Sequence, residues 1–522
     1  MTTFESLHQD RVLGSLGMFD RLIFKGHLLR FYPEGAFKGF LWRQGIQLKD
    51  FGSYVKKVSK QIKAHVAGLA DQAGRPYVYL QRTMTRYRGG QTKEDLAREI
   101  AERDGVKEGL VCILGAVEPC RSFGIWRNPE TQRWDAVFRL RKCLHFYFYW
   151  IDREFGWMHV RLQSWFPFDL QIYVNGREWL CRQLDTLGIG YKRYDNCLLE
   201  VNDLEKAQEI CDAFPRRKLF RVFGHFAKLT NPWLSKIQRL GFGTYYWVTD
   251  QSEYATDVMF RDRPSLEEIL PDLLRHAAEE FSAEDILRFL GRKLNGNFQG
   301  EVLTDRKKRR EGVRVKHKMK RNSIKFYDKW SVLRVETTIN NPREFKVLRV
   351  LPSPEGRKRR WMPMGKGVAN LWRYAQVSRQ ANGRYLEALA QVDARGKFAP
   401  ELDKLCQSRT INGKRVAKFN PIAAHEIRLF AAVMAGGHFL NGFRNRDLAL
   451  RLYPDLLDQP KAVRRRVGAR VSRWIAKLRG HGLVSKVRAS RLYRVTKHGY
   501  RAMGALLHFR GVEFPLIYQQ SR

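Results

Sequence analysis

Chemistry in this sequence would have to come from carboxylates set on strands. Ser323–Ile339 (SIKFYDKWSVLRVETTI) reads as two strands joined by a short turn, bearing Tyr327, Arg334 and Glu336. Alternation puts Arg334, Glu336 and Thr338 on one face of the second strand, opposite Leu333, Val335 and Ile339. Glu253 and Asp257 share a face of the extended run Tyr245–Phe260 (YYWVTDQSEYATDVMF). His317 points to the same side as Val313 and Val315 and reads as a core histidine. The chain contains no Walker A or dinucleotide-binding glycine motif. Its cysteines, Cys112, Cys120, Cys143, Cys181, Cys197, Cys211 and Cys406, show neither a C-x-x-C pair nor zinc-finger spacing. They read as reduced thiols, and no cysteine-bound metal is expected.

The strand pair resembles the I-x-x-Y-D-K … R-x-E segment of rolling-circle replication initiators, among them plasmid Rep proteins and the initiators of filamentous phages. Tyr245–Phe260, ahead of a long helix, is loosely similar to their early acidic strand. The resemblance implies nicking of DNA by a tyrosine, with a divalent ion (Mg²⁺ or Mn²⁺) held by acidic or histidine side chains on a sheet face. It makes Asp257 and Glu336 the expected metal ligands and catalytic residues. Glu253 is a weaker member, because it lies roughly 13 Å from Asp257 along a regular strand and both cannot bind one ion directly. The His-hydrophobe-His pair typical of many such nickases is missing. Tyr327 reads as structural, and Tyr374 and Tyr385 have a different spacing, so the nucleophile stays unassigned. The alternative is a surface ion pair between Arg334 and Glu336. A separate set, Asp20, Glu118 and a later aspartate, has the residue types of a ribonuclease-H-like two-metal centre; both carboxylates could instead pair with nearby arginines.

Binding chemistry is written more plainly. In Lys461–His481, Val467, Val471, Trp474 and Leu478 form an apolar stripe, and Arg466, Arg470, Arg473 and Lys477 repeat the same spacing one residue earlier, about 100° around the helix. Two helices, Pro421–Ala435 and Asn445–Tyr453, precede it. A short hairpin, Leu483–Val487 with Leu492–Thr496, and a helix at Gly499–Leu507 follow. This order resembles MarR-type winged helix-turn-helix regulators. It implies that Arg465, Arg466, Arg470, Arg473 and Lys477 meet DNA in the major groove, with Arg488, Arg491 and Arg494 on the wing.

These residues need a scaffold, and 522 residues allow several cores. Thr92–Arg103 opens like a capped helix, Gly109–Ile125 like a buried strand, and Val12–Phe31 like a hairpin with turn glycines. Leu144–Ile151 and Trp157–Trp165 flank a turn as a second hairpin, whose aromatics form a core or stack unpaired bases. Arg177–Leu187 and Asp203–Phe214 read as helices around a strand at Leu198–Val201. Ser265–Phe281 reads as a helix kinked at Pro271, followed by a short helix at Ala283–Leu290. Gly312–Met319, Ser323–Asp328 and Val332–Ile339 read as an antiparallel meander. A loop with Pro352, Pro354 and Arg357–Arg360 precedes a helix at about Gly367–Val392. No internal repeat stands out.

The expected fold is α+β and multi-domain, with mixed or antiparallel sheets and a C-terminal winged helix. The expected units are 1–215 (α+β), 216–350 (a Rep-like sheet module), 351–419 (a helical linker) and 420–522 (the winged helix). With 96 Lys and Arg against 53 Asp and Glu, a formal +43, the chain calls for a polyanion. It lacks a signal peptide and any apolar run that could span a bilayer, so it is read as cytoplasmic. The leading expectation is a mobile-element or replication-associated DNA-processing protein. The competing one is a non-enzymatic RNA- or DNA-binding component of a ribonucleoprotein, or a transcriptional regulator. WFPFDLQIYVNGREWL and RVETTINNPREFKV are also similar to an uncharacterised bacterial family, which implies no chemistry.

Overall fold

In the computed structural model, the described residues are 3–33, 35–81, 92–292, 301–309, 312–353, 356–390, 403–411, 413–420, 423–435, 438, 442–487 and 490–510. The strands that matter for the site are β1 (Val12–His27), β2 (Tyr77–Leu80), β3 (Gly109–Arg127), β4 (Trp134–Asp152), β5 (Gly156–Gln163) and β6 (Leu170–Asn175), then the small hairpin β7 (Tyr191–Tyr194) and β8 (Cys197–Val201). After them come β9 (Tyr246–Phe260), β10 (Val302–Arg309), β11 (Gly312–Met319), β12 (Asn322–Lys329) and β13 (Val332–Ile339).

Eleven of these form one mixed sheet, in the order β10-β11-β12-β13-β9-β1-β6-β5-β4-β3-β2. Only β2 and β3 run parallel; every other neighbouring pair is antiparallel. The order contains a duplication. A long strand is followed by a four-strand meander whose last member returns beside it, first as β1 with β3 to β6 and again as β9 with β10 to β13. The two long strands pair antiparallel with each other, from Val12 opposite Phe260 to His27 opposite Tyr246. The segments 1–215 and 216–350 therefore share one sheet, and the break expected near 215 does not separate two sheets.

β1 is a single strand where a hairpin was expected. Its glycines make room for packing and do not turn the chain. A Cβ on Gly17 would sit 2.9 Å from the Tyr254 hydroxyl, and one on Gly26 would sit 3.0 Å from Trp247. The expected hairpin at Asp152–Gly156 and the meander Gly312–Ile339 are present. So is the helix Lys93–Arg103, where Thr92 and Asp95 cap each other. Pro271 breaks the expected long helix into Arg263–Glu267 and Leu270–Glu279, sitting in the first turn of the second, where its missing N–H costs nothing. The expected loop around Pro352 is an exposed hairpin of β14 (Lys346–Ser353) and β15 (Gly356–Pro363), with Arg357–Arg360 within β15; Pro354 lies outside the described residues.

The two sheet faces differ. On one, the helices Phe51–Gln72, Leu219–Thr230, Leu270–Glu279 and Leu371–Leu389 pack a large apolar core. On the other, the helix Lys93–Arg103 covers β3 to β6 over a second core containing Tyr147, Tyr149, Trp157 and Tyr173. The aromatic run at His145–Trp150 is thus divided between two cores.

The C-terminal helices are Ala424–Met434, Asn445–Leu452, Lys461–Gly480 and Lys497–His508, with a hairpin pairing Val484–Lys486 with Tyr493–Val495. Ile422, expected in the first helix, lies outside the described residues. No helix among the described residues is long and apolar enough to cross a membrane.

Candidate active site and nucleic-acid face

Strand parity brings the carboxylates to the face that the helix Lys93–Arg103 covers farther along. Arg334 stands opposite Asp257, Glu336 opposite Ala255 and Thr338 opposite Glu253. On the other flank Tyr327 stands opposite Arg334 and Lys325 opposite Glu336. β1 contributes Asp20 through a bulge between Phe19 and Arg21, where the register to β9 shifts. A bulge re-aims a side chain, which is how Asp20 reaches this face.

Asp20, Glu253 and Glu336 present carboxylate oxygens within 4.8 Å of one another. Lys325 bonds Glu336 and reaches Glu253 at 3.3 Å. The Tyr327 hydroxyl donates to Glu336 Oε2 at 2.7 Å. These groups line a recess of about 210 Å³ with Arg309, Arg314 and Arg334. Burial and the charge of Glu336 push the Glu253 carboxyl above its usual range. Burial alone would do the same to Glu336, but Lys325 outweighs it, with help from Tyr327 and Arg334, and keeps Glu336 ionised. Burial and the Glu336 charge drive the Tyr327 phenol well above its usual value. The result is a neutral phenol hydrogen-bonded to a carboxylate that stays charged. An all-oxygen set of three carboxylates fits a hard cation such as Mg²⁺ or Mn²⁺.

Asp257 is not available to this set. Both its oxygens accept from Arg334, at 2.7 and 2.9 Å, and Arg177 lies 3.0 Å away. Arg334 is itself fully buried and also bonds Asp20 and the Asn196 carbonyl. The expected pair of Asp257 with Glu336 is therefore replaced by Glu336 with Glu253 and Asp20. Arg334 is no surface partner of Glu336. Glu118 lies on β3, four strand spacings or about 19 Å from β1. It bonds Tyr147 and Lys93, with Arg161 at 3.6 Å, so it cannot join Asp20 on one ion. Tyr374 and Tyr385 are buried, and Tyr385 bonds His317 at 2.8 Å on the opposite face.

Beside the recess the face of β10 to β12 is open and cationic. Lys307 and Arg309 on β10, Arg314, Lys316 and Lys318 on β11, and Lys325 on β12 share it, by the pairings of Lys307 with Arg314 and of Lys316 with Asp305 and Lys325. Burial first, and then Lys325, Lys318 and Arg314, lower the Lys316 pKa. Cations crowded this way repel each other until an anion joins them.

In the C-terminal region Arg465, Arg466, Arg470, Arg473, Arg491 and Arg494 are exposed. Lys477 is not free for a ligand, since it pairs with Glu426 at 2.5 Å and sits 4.0 Å over the Phe419 ring. Arg488 lies outside the described residues. Val471 and Leu478 are buried, and Val467 and Trp474 half-buried, as the stripe requires. Sequence reasoning missed Asp20 as a partner of Glu253 and Glu336, and it missed the hydroxyl of Tyr327. The alternation of β12 carried a signal for Tyr327; the bulge that turns Asp20 carried none.

No family model, curated protein or solved structure matches this chain.

Proposed function

We propose that this is a nucleic-acid-processing protein that cleaves a phosphodiester at Tyr327 and Glu336, most simply a DNA nickase of a mobile or replicating element. The observation that carries the reading is the open cationic face of β10 to β12, which ends at a tyrosine hydroxyl bonded to one of three clustered carboxylates. A strand laid on Lys307, Arg314, Lys316 and Lys318 would have its phosphates matched by cations and one phosphate brought to the recess.

The chemistry follows from the pair. The Tyr327 oxygen attacks phosphorus as its proton passes to Glu336, so a phosphotyrosine bond forms while the bond from phosphorus to the leaving sugar oxygen breaks. That oxygen takes up a proton from solvent. Because the phenol does not ionise beforehand, proton loss accompanies attack, and Glu336 is placed to accept. Lys325 supplies positive charge to the phosphate oxygens. Mg²⁺ or Mn²⁺ at Asp20, Glu253 and Glu336 would supply further Lewis-acid charge.

The C-terminal order of two helices, a basic helix, a hairpin and a last helix supports reading this part as a winged helix that places the protein on duplex DNA. Arg466, Arg470 and Arg473 would be its groove contacts.

Incubation with supercoiled plasmid and Mg²⁺ or Mn²⁺ tests the whole. Nicked circles, with protein joined covalently to DNA and lost in Tyr327→Phe, are expected. Cleavage by folded Glu336→Gln at the parent rate would remove the assignment. A defined RNA retained through purification, with no cleavage, would place the protein among non-enzymatic binders instead.

A further inference from the structure

Far from the carboxylates, the long β3–β4 hairpin gathers three soft ligands. Cys143 stands opposite Glu118, His145 opposite Ala116 and Cys120 opposite Arg141. Alternation puts all three side chains on one face. Cys120, Cys143 and His145 are buried, at 8%, 4% and 2% exposure, and offer two sulfurs and a ring nitrogen within 4.8 Å of one another. His145 Nδ1 lies 3.2 Å from the Cys143 carbonyl oxygen. An acceptor there fixes the proton on Nδ1 and leaves the Nε2 lone pair for a ligand, the orientation that metal-binding histidines are usually given.

We propose that Cys120, Cys143 and His145 bind a zinc-class divalent ion, with solvent in a fourth position. Tetrahedral Zn²⁺ with sulfur at about 2.3 Å and nitrogen at about 2.0 Å needs its donors about 3.5 to 3.8 Å apart. That is a small side-chain rotation from the present spacing. Binding releases two thiol protons, and two thiolates then balance the charge of the ion. A disulfide fits less well. Cys120 and Cys143 are diagonal neighbours, and such positions lie about 7 to 8 Å apart across a sheet, beyond the usual Cα span of a disulfide. The ion would tie β3 to β4 next to the Glu118, Lys93 and Tyr147 cluster. The proposal is independent of the nickase reading, because it uses none of its residues.

The test is elemental analysis of full-length protein purified without chelator, followed by exchange with Co²⁺. About one zinc per chain is expected, and cobalt should give the absorption of thiolate-to-metal charge transfer. Cys120→Ser and Cys143→Ser should each lose the ion and the band, while Glu336→Gln retains both. In the unsubstituted protein, Zn²⁺ should slow alkylation of Cys120 and Cys143 but not of Cys406, which keeps the test decisive if the serine variants misfold. A protein without bound zinc that gives no thiolate band with cobalt would overturn the proposal. So would a band that survives both cysteine substitutions, or a Cys120–Cys143 disulfide in the purified protein.

Discussion

Arg334 grips Asp257 with two hydrogen bonds, one to each carboxylate oxygen, and both side chains are buried. The pair fixes β13 to β9 and commits both Asp257 oxygens to guanidinium groups, Arg334 on each and Arg177 on one. Replacing Arg334 by Met would bury Asp257 with only Arg177 as a partner. A loss of about 3–5 kcal/mol is expected, as for other broken buried pairs. Urea unfolding at neutral pH checks it, and a change under about 1 kcal/mol would contradict the structural role given to the pair.

In the recess, activity and stability should separate. Tyr327→Phe removes one hydroxyl and its bond to Glu336, so a cost of about 1 kcal/mol is expected, together with complete loss of covalent DNA attachment. Asp257→Asn should behave in the opposite way, losing stability first. Parallel melting and nicking assays on the two variants distinguish them. Equal residual activity in both would count against the site.

Several buried histidines make the fold acid-sensitive. Burial, helped by Arg21 and Arg161, pushes His159 down to about 3, and burial pushes His317 down to about 4. Both are depressed relative to the unfolded chain, near 6.5. Their contribution is therefore present above about pH 6.5 and lost as pH falls toward 4, by up to about 1.4 kcal/mol per pH unit for each ring. His317→Gln, which can still bond Tyr385, should flatten the stability–pH slope by about one proton between pH 6 and 4. An unchanged slope would show that the ring is not neutral in the folded state.

The β14–β15 hairpin stands exposed and carries Arg357, Lys358, Arg359 and Arg360, with Trp361 stacked against Arg373 at 5.2 Å. Neutralising Arg357, Arg359 and Arg360 to Gln should leave stability within about 0.5 kcal/mol. If the arm lies on duplex DNA, the slope of log affinity against log salt should fall by about 0.9 for each phosphate contact removed. Titrations at several salt concentrations measure it, and an unchanged slope would place the arm off the DNA.

On the basic helix Lys461–Gly480, neighbours on one stripe should respond differently. Arg470→Ala and Arg473→Ala remove exposed cations and should weaken duplex binding without unfolding. Lys477→Ala should destabilise the region, because it removes the lysine paired with the buried Glu426 carboxylate and leaves that charge the Asn420 N–H as its hydrogen-bond donor. Melting curves with and without duplex separate the two effects.

Local patterns were legible where burial alternates. The β4–β5 turn, the meander Gly312–Ile339, the Thr92 cap and the stripe on Lys461–Gly480 each follow from neighbouring residues. What escaped is non-local or uniform. β15 is exposed along its whole length, so it has no alternation, and with Arg357–Arg360 beside prolines it reads as a loop. Gly17 and Gly26 resemble turn residues because the rings that need the space come more than two hundred residues later. Glu253 and Glu336 could be placed on a face, but the bulge at Asp20 and the guanidinium of Arg334 decide which carboxylates meet, and both depend on strands far apart in the chain. Cys120 and His145 become neighbours only through the β3–β4 register, so a search for close cysteine spacing passes over them. The duplicated strand order survives in topology without a visible sequence repeat.

The pairing of β1 with β9 also has a consequence for synthesis. Val12 meets Phe260, so one edge of the first long strand stays unpaired until half the chain has left the ribosome. Until then the nascent N-terminal half carries a long, largely apolar edge able to join another chain. A translational pause or truncation before residue 260 should therefore produce chaperone-bound or aggregated fragments. The seam that unites the two halves of the finished protein is the exposed flank of the unfinished one.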